Sequence, residues 1–281
     1  MKRYANFFRR MLTFSLIFAA LFAFNGPLSA QVKTQIVAHR GYWNTEGSFE
    51  NTISSLENAH KAGFYGSEFD INMTSDGVLV VCHGPAVGDI PDVQKASFSE
   101  VMHVKLSNGE GVPTLEEYLK AGKKGFKVKG ADGSSKNVKL QLVAEVKAAA
   151  PQVEEEVIIK LASLVKKLKL QEQISIISFS YNACLLAVKY MPGVPVQYLM
   201  GDKTPEELNA AGIKGLDYHY SLMLLNSDYI ERAHKLGMTV NVWTVNDREQ
   251  MDAFVKLGVD YITTDYPEMA KEVIEENNRL N

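Results

Sequence analysis

The feature that most constrains this chain is a repeating rhythm: short apolar runs, each followed by a longer stretch of helical periodicity. The strand-like runs are Gln35–His39, Gly66–Met73, Leu140–Lys147, Ile174–Phe179, Val196–Met200, Gly215–Tyr218, Thr239–Trp243 and Tyr261–Thr264. The helix-like stretches are Glu50–Ala62, Leu115–Lys124, Gln152–Leu168, Tyr181–Tyr190, Pro205–Ala211, Ser227–Leu236, Arg248–Leu257 and Pro267–Asn277. In Gln152–Leu168 the acids Glu154–Glu156 open the stretch and Lys166 and Lys167 close it, the order that complements a helix dipole. Repeated strand-then-helix units imply a parallel sheet, and eight of them can close into a (β/α)8 TIM barrel. An open doubly wound sheet is the alternative. No glycine-rich phosphate loop opens a helix, so the nucleotide-binding versions of that sheet lose support.

One strand falls outside the parallel scheme. Val78–His83 follows Gly66–Met73 after only Thr74-Ser75-Asp76-Gly77, too short for a parallel crossover. The pair is therefore predicted as an antiparallel hairpin, with Asp76-Gly77 as a two-residue turn. That register pairs Ser75 with Val78, Asn72 with Val81 and Asp70 with His83, and brings the last two Cβ atoms to ~5 Å. Residues 78–113 then form a small insertion after the second barrel strand, with a polar, glycine-bearing loop over one end. A second insertion, 126–139, reads as a small surface hairpin. The helix Glu50–Ala62 is expected to be capped by Ser48 or Asn44.

The N-terminus reads as a separate element. Lys2, Arg3, Arg9 and Arg10 precede an apolar run, Met11–Phe24, and Pro27-Leu28-Ser29-Ala30 resembles a cleavage region. Residues 1–30 are expected to be a secretory signal peptide, which makes the mature chain, 31–281, a single periplasmic or secreted domain without stable membrane insertion. Removing that segment takes away four basic side chains and no acidic one, leaving 26 basic against 33 acidic residues. That balance argues against nucleic acid as a partner. Cys82 and Cys184 are expected as two buried free thiols.

Polar residues cluster where apolar runs end. Glu68 and Asp70 stand two apart on one strand and so share a face. Parallel strands are normally covered on both sides, so two acids there point to one divalent cation, and hard oxygen ligands favour Mg²⁺ or Ca²⁺. Glu145 is the natural third ligand. Lys147 can reach a phosphate oxygen, with a strand-end salt bridge as the alternative. His39 ends the first strand and faces the catalytic end of a barrel, unless it is simply structural. Arg40 can grip phosphate through two parallel hydrogen bonds. Trp243 is a candidate wall against an alcohol group, and His60 and His234 read as surface residues. With His83, these residues suit metal-assisted attack on a phosphate ester.

The ordered set His39-Arg40-Gly41, Glu50-Asn51-Thr52, Glu68-x-Asp70, Thr74-x-Asp76-Gly77, His83, Glu145-x-Lys147, Ser178-Phe179, Trp243-Thr244-Val245-Asn246 and Thr264-Asp265-Tyr266-Pro267 resembles the glycerophosphodiester phosphodiesterases over nearly all of the mature chain. The resemblance implies a barrel with an insertion after the second strand. It makes Glu68, Asp70 and Glu145 metal ligands and His39 and His83 an acid–base pair. It places Arg40, Lys147 and Glu50 at the substrate. The expected reaction is metal-dependent hydrolysis of a small glycerophosphodiester to glycerol 3-phosphate and an alcohol. Alternatives are a phospholipase D-like or phosphoinositide-type phosphodiesterase, or a non-catalytic sugar-phosphate-binding relative. One departure stands out: Gly84 occupies a position where that family usually has Asp. The expectation is that Gly84→Asp keeps the fold and alters substrate preference or metal affinity, unless the loop needs a glycine.

Overall fold

The computed structural model describes residues 34–129 and 135–280. The segment read as a signal peptide lies outside the described residues, as do residues 130–134 of the second insertion. The strands are β1 (Gln35–Ala38), β2 (Gly66–Met73), β3 (Leu79–Val81), β4 (Phe126–Lys129), β5 (Ser135–Val138), β6 (Gln141–Val146), β7 (Ile174–Ser178), β8 (Val196–Tyr198), β9 (Gly215–His219), β10 (Thr239–Trp243) and β11 (Tyr261–Thr264). The helices are α1 (Ile53–Lys61), α2 (Phe98–Val101), α3 (Leu115–Lys123), α4 (Pro151–Leu168), α5 (Tyr181–Tyr190), α6 (Pro205–Ala210), α7 (Tyr220–Leu225), α8 (Asp228–Lys235), α9 (Arg248–Leu257) and α10 (Pro267–Leu280).

Eight parallel strands run in the order β1, β11, β10, β9, β8, β7, β6, β2, and β1 pairs with β2 to close the barrel. Outward-facing residues such as Phe69, Ile71, Leu142 and Ile176 pack against helix residues including Leu119, Ile158 and Leu161 in one continuous core. Burying each such side chain contributes about 1.5–3 kcal/mol. Inside the barrel the apolar cluster is small, built on Val37, Val143, Ile177 and Leu199. The remaining interior positions include buried polar side chains, among them Ser175, Gln197, Asp217, Asn241 and Thr263.

β2 is long enough to do two jobs. Its first residues pair with β1, and its last pair antiparallel with β3. The hairpin exists, but its register differs from the expected one: Asn72 faces Val80 and Met73 faces Leu79. The loop has three residues, not two. The Thr74 N–H donates to the Val78 carbonyl at 2.9 Å, and the Gly77 N–H donates back to the Thr74 carbonyl at 2.9 Å. Gly77 sits at φ +84°, the left-handed closing position of a three-residue hairpin loop. The slip puts Cys82 opposite Asp70, with the Cys82 N–H donating to the Asp70 carbonyl at 3.1 Å. The insertion is more than a polar rim, because Val80, Cys82, Val93, Val101 and Val104 form a small core of its own.

α1 begins later than expected. Thr52 caps it, in a reciprocal box with Ser55, rather than Ser48 or Asn44. The preceding Asn51 cannot be helical, because it is held at φ +61° with its amide directed at the site. α7 is an unanticipated helix directly after β9, and His60 is buried rather than on the surface. Both cysteines are buried and free. Among the described residues no helix is long and apolar enough to cross a membrane.

Candidate active site

β2 and β6 are in parallel register, with Asp70 beside Glu145. Side chains two apart on β2 share a face, so Glu68 and Asp70 join Glu145 at the C-terminal end of the barrel. One carboxylate oxygen from each of the three lies within 4.8 Å of the others, and all three residues are buried. Lys147 Nζ bridges two of them, 2.6 Å from Asp70 Oδ1 and 2.7 Å from Glu145 Oε1. Asn51 donates its amide to Asp70 Oδ2 at 2.7 Å and accepts from the Asp70 N–H at 3.0 Å.

These contacts divide the three acids. Burial pushes the Asp70 carboxyl up, but Lys147, Asn51 and Arg40 outweigh it and hold the group below its usual value. Burial, then repulsion from Asp70 and Glu145, pushes Glu68 well above its usual value. Burial also lifts Glu145 to about 7 against the pull of Lys147. Glu68 Oε1 is buried with no hydrogen-bond partner. An orphaned carboxylate oxygen beside two further carboxylates fits a hard divalent cation, and the cluster can hold one.

The His39-Arg40-Gly41 turn closes over this cluster. Arg40 adopts φ +55°, a conformation that non-glycine residues avoid without a reason. Here it aims the Arg40 N–H at Glu68 Oε2, 2.8 Å away. Gly41 must be glycine: it sits at φ +81°, and a Cβ there would strike the Ser55 hydroxyl. The Arg40 guanidinium donates to Glu50 Oε2 at 2.6 Å and stands 3.6 Å from Asp70. Glu50 thus anchors the guanidinium. His39 Nδ1 lies 2.8 Å from Asp265 Oδ1, and its Nε2 faces Glu68 Oε2 at 4.0 Å. Asp265 is itself held by Asn246, whose amide donates to Oδ2 at 2.6 Å.

A chamber of about 180 Å³ opens above the cluster. His39, Arg40, Glu68, His83, Glu145, Lys147 and Trp243 all line it, so the structure brings together seven of the nine expected site residues at its surface. Asp70 lies beneath, and Glu50 lines a neighbouring groove that shares His83. His83 reaches the chamber from beyond the end of β3, because Gly84 at φ +63° turns the chain. Burial, then Lys147, lowers its pKa from the ordinary 6.5. Trp243 packs edge-to-face on Phe179 at 5.3 Å, and its indole N–H donates to the Asp217 carbonyl at 2.8 Å.

Three contributors escape the sequence reading as site residues: Asn51, Asp217 and Asp265. Asn51 and Asp265 stand inside recognisable motifs, next to Glu50 and Thr264. Asp217 has no such signal.

Comparison with known proteins agrees with this geometry. The pattern of the glycerophosphoryl diester phosphodiesterase family matches residues 39–269. A glycerophosphodiester phosphodiesterase from Caldanaerobacter subterraneus is 28% identical over 255 residues, covering 84% of this chain and 96% of the relative. A crystal structure of a glycerophosphodiester phosphodiesterase from Parabacteroides distasonis is 38% identical, covers 89% of this chain and 100% of its own, and superposes with a TM-score of 0.82. A phosphodiesterase from Oleispira antarctica, 22% identical with a TM-score of 0.69, covers 86% of this chain and 96% of its own and shares the fold. On the strength of the pattern match and of a relative covered from end to end, the chain belongs to the glycerophosphoryl diester phosphodiesterase family and is one of its enzymes.

Proposed function

We propose that this protein hydrolyses small glycerophosphodiesters to glycerol 3-phosphate and an alcohol, using His39 and His83 as base and acid and one divalent cation, Mg²⁺ or Ca²⁺. Glu68, Asp70 and Glu145 would hold the cation, which when bound would supply positive charge against the phosphoryl oxygens. Arg40 and Lys147 bind the phosphodiester anion and oppose the charge that builds on it. Asp265 fixes His39 with Nδ1 protonated, leaving Nε2 to accept the proton of the glycerol C2 hydroxyl. That oxygen bonds to phosphorus while the bond to the head-group oxygen breaks, and His83 protonates the departing alkoxide. The product is a cyclic phosphate. In the second half-reaction His83 takes a proton from water, the water oxygen bonds to phosphorus, and the C2 oxygen leaves with the proton from His39.

The observation that carries this reading is one chamber flanked by both histidines, Arg40 and Lys147, over a buried three-carboxylate cluster. The Oleispira antarctica relative, solved with its product sn-glycerol-3-phosphate, supports the choice of substrate. The signal-peptide reading of residues 1–30 makes the reaction periplasmic or extracellular in our proposal.

The test is phosphorus NMR of the protein with glycerophosphocholine and with lysophosphatidylcholine, in Mg²⁺ and in Ca²⁺. The expected result is glycerol 3-phosphate from the first and little turnover of the second. Preference for the lipid would support a phospholipase D-like activity, and no cleavage of either would point to a binding protein.

A further inference from the structure

Asp217 is a fully buried carboxyl that the chemistry above does not use. It lies on the inward face of β9, four strands from β2 in either direction around the barrel. It therefore stands across the interior from Glu68 and Asp70, and it lines the same chamber. Its exposure is 1%. Asn241, its register partner on β10, donates one hydrogen bond to Asp217 Oδ1 at 2.9 Å and is held in turn by Thr263 Oγ1 at 2.7 Å. No ion pair reaches Asp217 among the described residues. Burial first, with repulsion from Glu145, pushes its carboxyl up to about 7 despite the Asn241 amide.

A buried carboxyl with one satisfied oxygen and no cation is costly unless something else bonds to it. Phosphate is a poor candidate, since it would meet a carboxylate there while Arg40 and Lys147 wait on the opposite wall. The head group is better placed elsewhere. His83 lines both the chamber and a second groove of about 150 Å³, bounded also by Phe49, Glu50 and Leu106. A leaving alcohol that meets His83 from that groove leaves the glycerol inside the chamber. The occupant facing Asp217 is then an uncharged polyol end.

We infer that Asp217 is a specificity residue that reads the free terminal (C1) hydroxyl of the substrate's glycerol. This rests on the proposed glycerophosphodiester reading. It also gives a reason for selectivity: a C1-acylated lipid lacks that hydroxyl and would leave the second oxygen of the Asp217 carboxyl without a partner, the situation in which polar sites discriminate most strongly. The Trp243 indole, tied to the Asp217 carbonyl, forms the adjoining wall.

The test compares kcat/KM for glycerophosphocholine, for the analogue with hydrogen in place of the C1 hydroxyl, and for glycerophosphoethanol, which has an uncharged head group. The parent is expected to favour glycerophosphocholine over the deoxy analogue by about tenfold or more. Asp217→Leu should bring that ratio close to one, and Asp217→Asn should keep part of it. Both variants should lower turnover of glycerophosphocholine and glycerophosphoethanol in parallel. Melting curves report whether each variant folds, and the parent ratio decides even where Asp217→Leu does not. Equal turnover of the first two substrates by the parent would overturn the inference. So would a ratio unchanged in a folded variant, or a loss confined to the cationic head group. Failure of the parent to cleave any of the three would sink the functional reading and this inference with it.

Discussion

His39 Nδ1 lies 2.8 Å from Asp265 Oδ1, and this contact ties together the chain just after β1 and just after β11, the first and last strands of the barrel, which lie side by side. Burial pushes the Asp265 carboxyl up, but the bonds from His39 and Asn246 hold it below its usual value. An ionised carboxylate in that place selects one imidazole tautomer and one ring orientation. Asp265 is therefore a positioning residue. Asp265→Asn should lower kcat by roughly 10²–10⁴-fold with KM within a few-fold of the parent. A kcat within about twofold of the parent would remove Asp265 from the account.

Replacing either histidine by Ala should cost roughly 10²–10⁴-fold in kcat with little change in KM. The pH dependence separates them. His83 has to carry a proton to act as the acid, and burial and Lys147 lower its pKa from 6.5. Activity that depends on it is lost as pH rises through that lowered value. The alkaline limb of kcat/KM should thus fall below 6.5, and in the kcat profile it should move upward, because a bound phosphodiester anion favours the imidazolium. An alkaline limb that survives His83→Ala unchanged would show that another group supplies the proton.

Gly84 is accounted for by backbone geometry rather than by a lost acid. At φ +63° a Cβ would lie 2.9 Å from Asn72 Nδ2, and that amide donates to the Cys82 carbonyl at 2.8 Å. Gly84→Asp should therefore cost about 1–3 kcal/mol of stability and slacken the turn that delivers His83. The readout is a lower melting temperature together with a lower kcat. A variant that melts with the parent yet re-ranks head groups would restore the substrate-preference explanation.

The raised carboxyls make the stability of the metal-free protein depend on pH. Glu145 goes from 4.5 to about 7 on folding and Asp217 from 3.8 to about 7. Across that interval the folded state binds more protons than the unfolded one, so stability falls as pH rises. Asp70 has the opposite sign, but its contribution is lost only in strong acid, below 3.8. In chelator the melting temperature should drop between about pH 5 and pH 8. Saturating Mg²⁺ or Ca²⁺ should raise it more at the higher pH, because the cation and protons compete for the same oxygens. A melting temperature that climbs with pH in chelator would contradict the directions assigned to these groups.

Much of this site is legible in the amino-acid sequence. Glu68 and Asp70 betray themselves because strand periodicity puts both acids on one face, and parallel pairing predicts that Glu145 can join them. The antiparallel β3 follows from loop length alone. The register of that hairpin does not, because Asp76-Gly77 serves equally as the centre of a two-residue turn or as the end of a three-residue loop, and only Thr74 bonding to Val78 decides. Asp217 was hidden for a different reason. A single polar residue in Gly-Leu-Asp-Tyr looks like an ordinary half-exposed strand position, and its meaning appears only when Asn241 and the chamber close around it. Asn51 and Asp265 were visible in motifs, but their role is a contact across the fold, which spacing along the chain does not record.

Hydrolysis is expected to depend on one cation held by Glu68, Asp70 and Glu145. The most direct measurement strips the protein with chelator, then titrates Mg²⁺ or Ca²⁺ back while counting glycerol 3-phosphate released from glycerophosphocholine. The expected result is no turnover in the stripped protein, recovery that saturates at one ion per chain, and no recovery in Glu68→Gln or Glu145→Gln. Full turnover in the exhaustively stripped protein would contradict it.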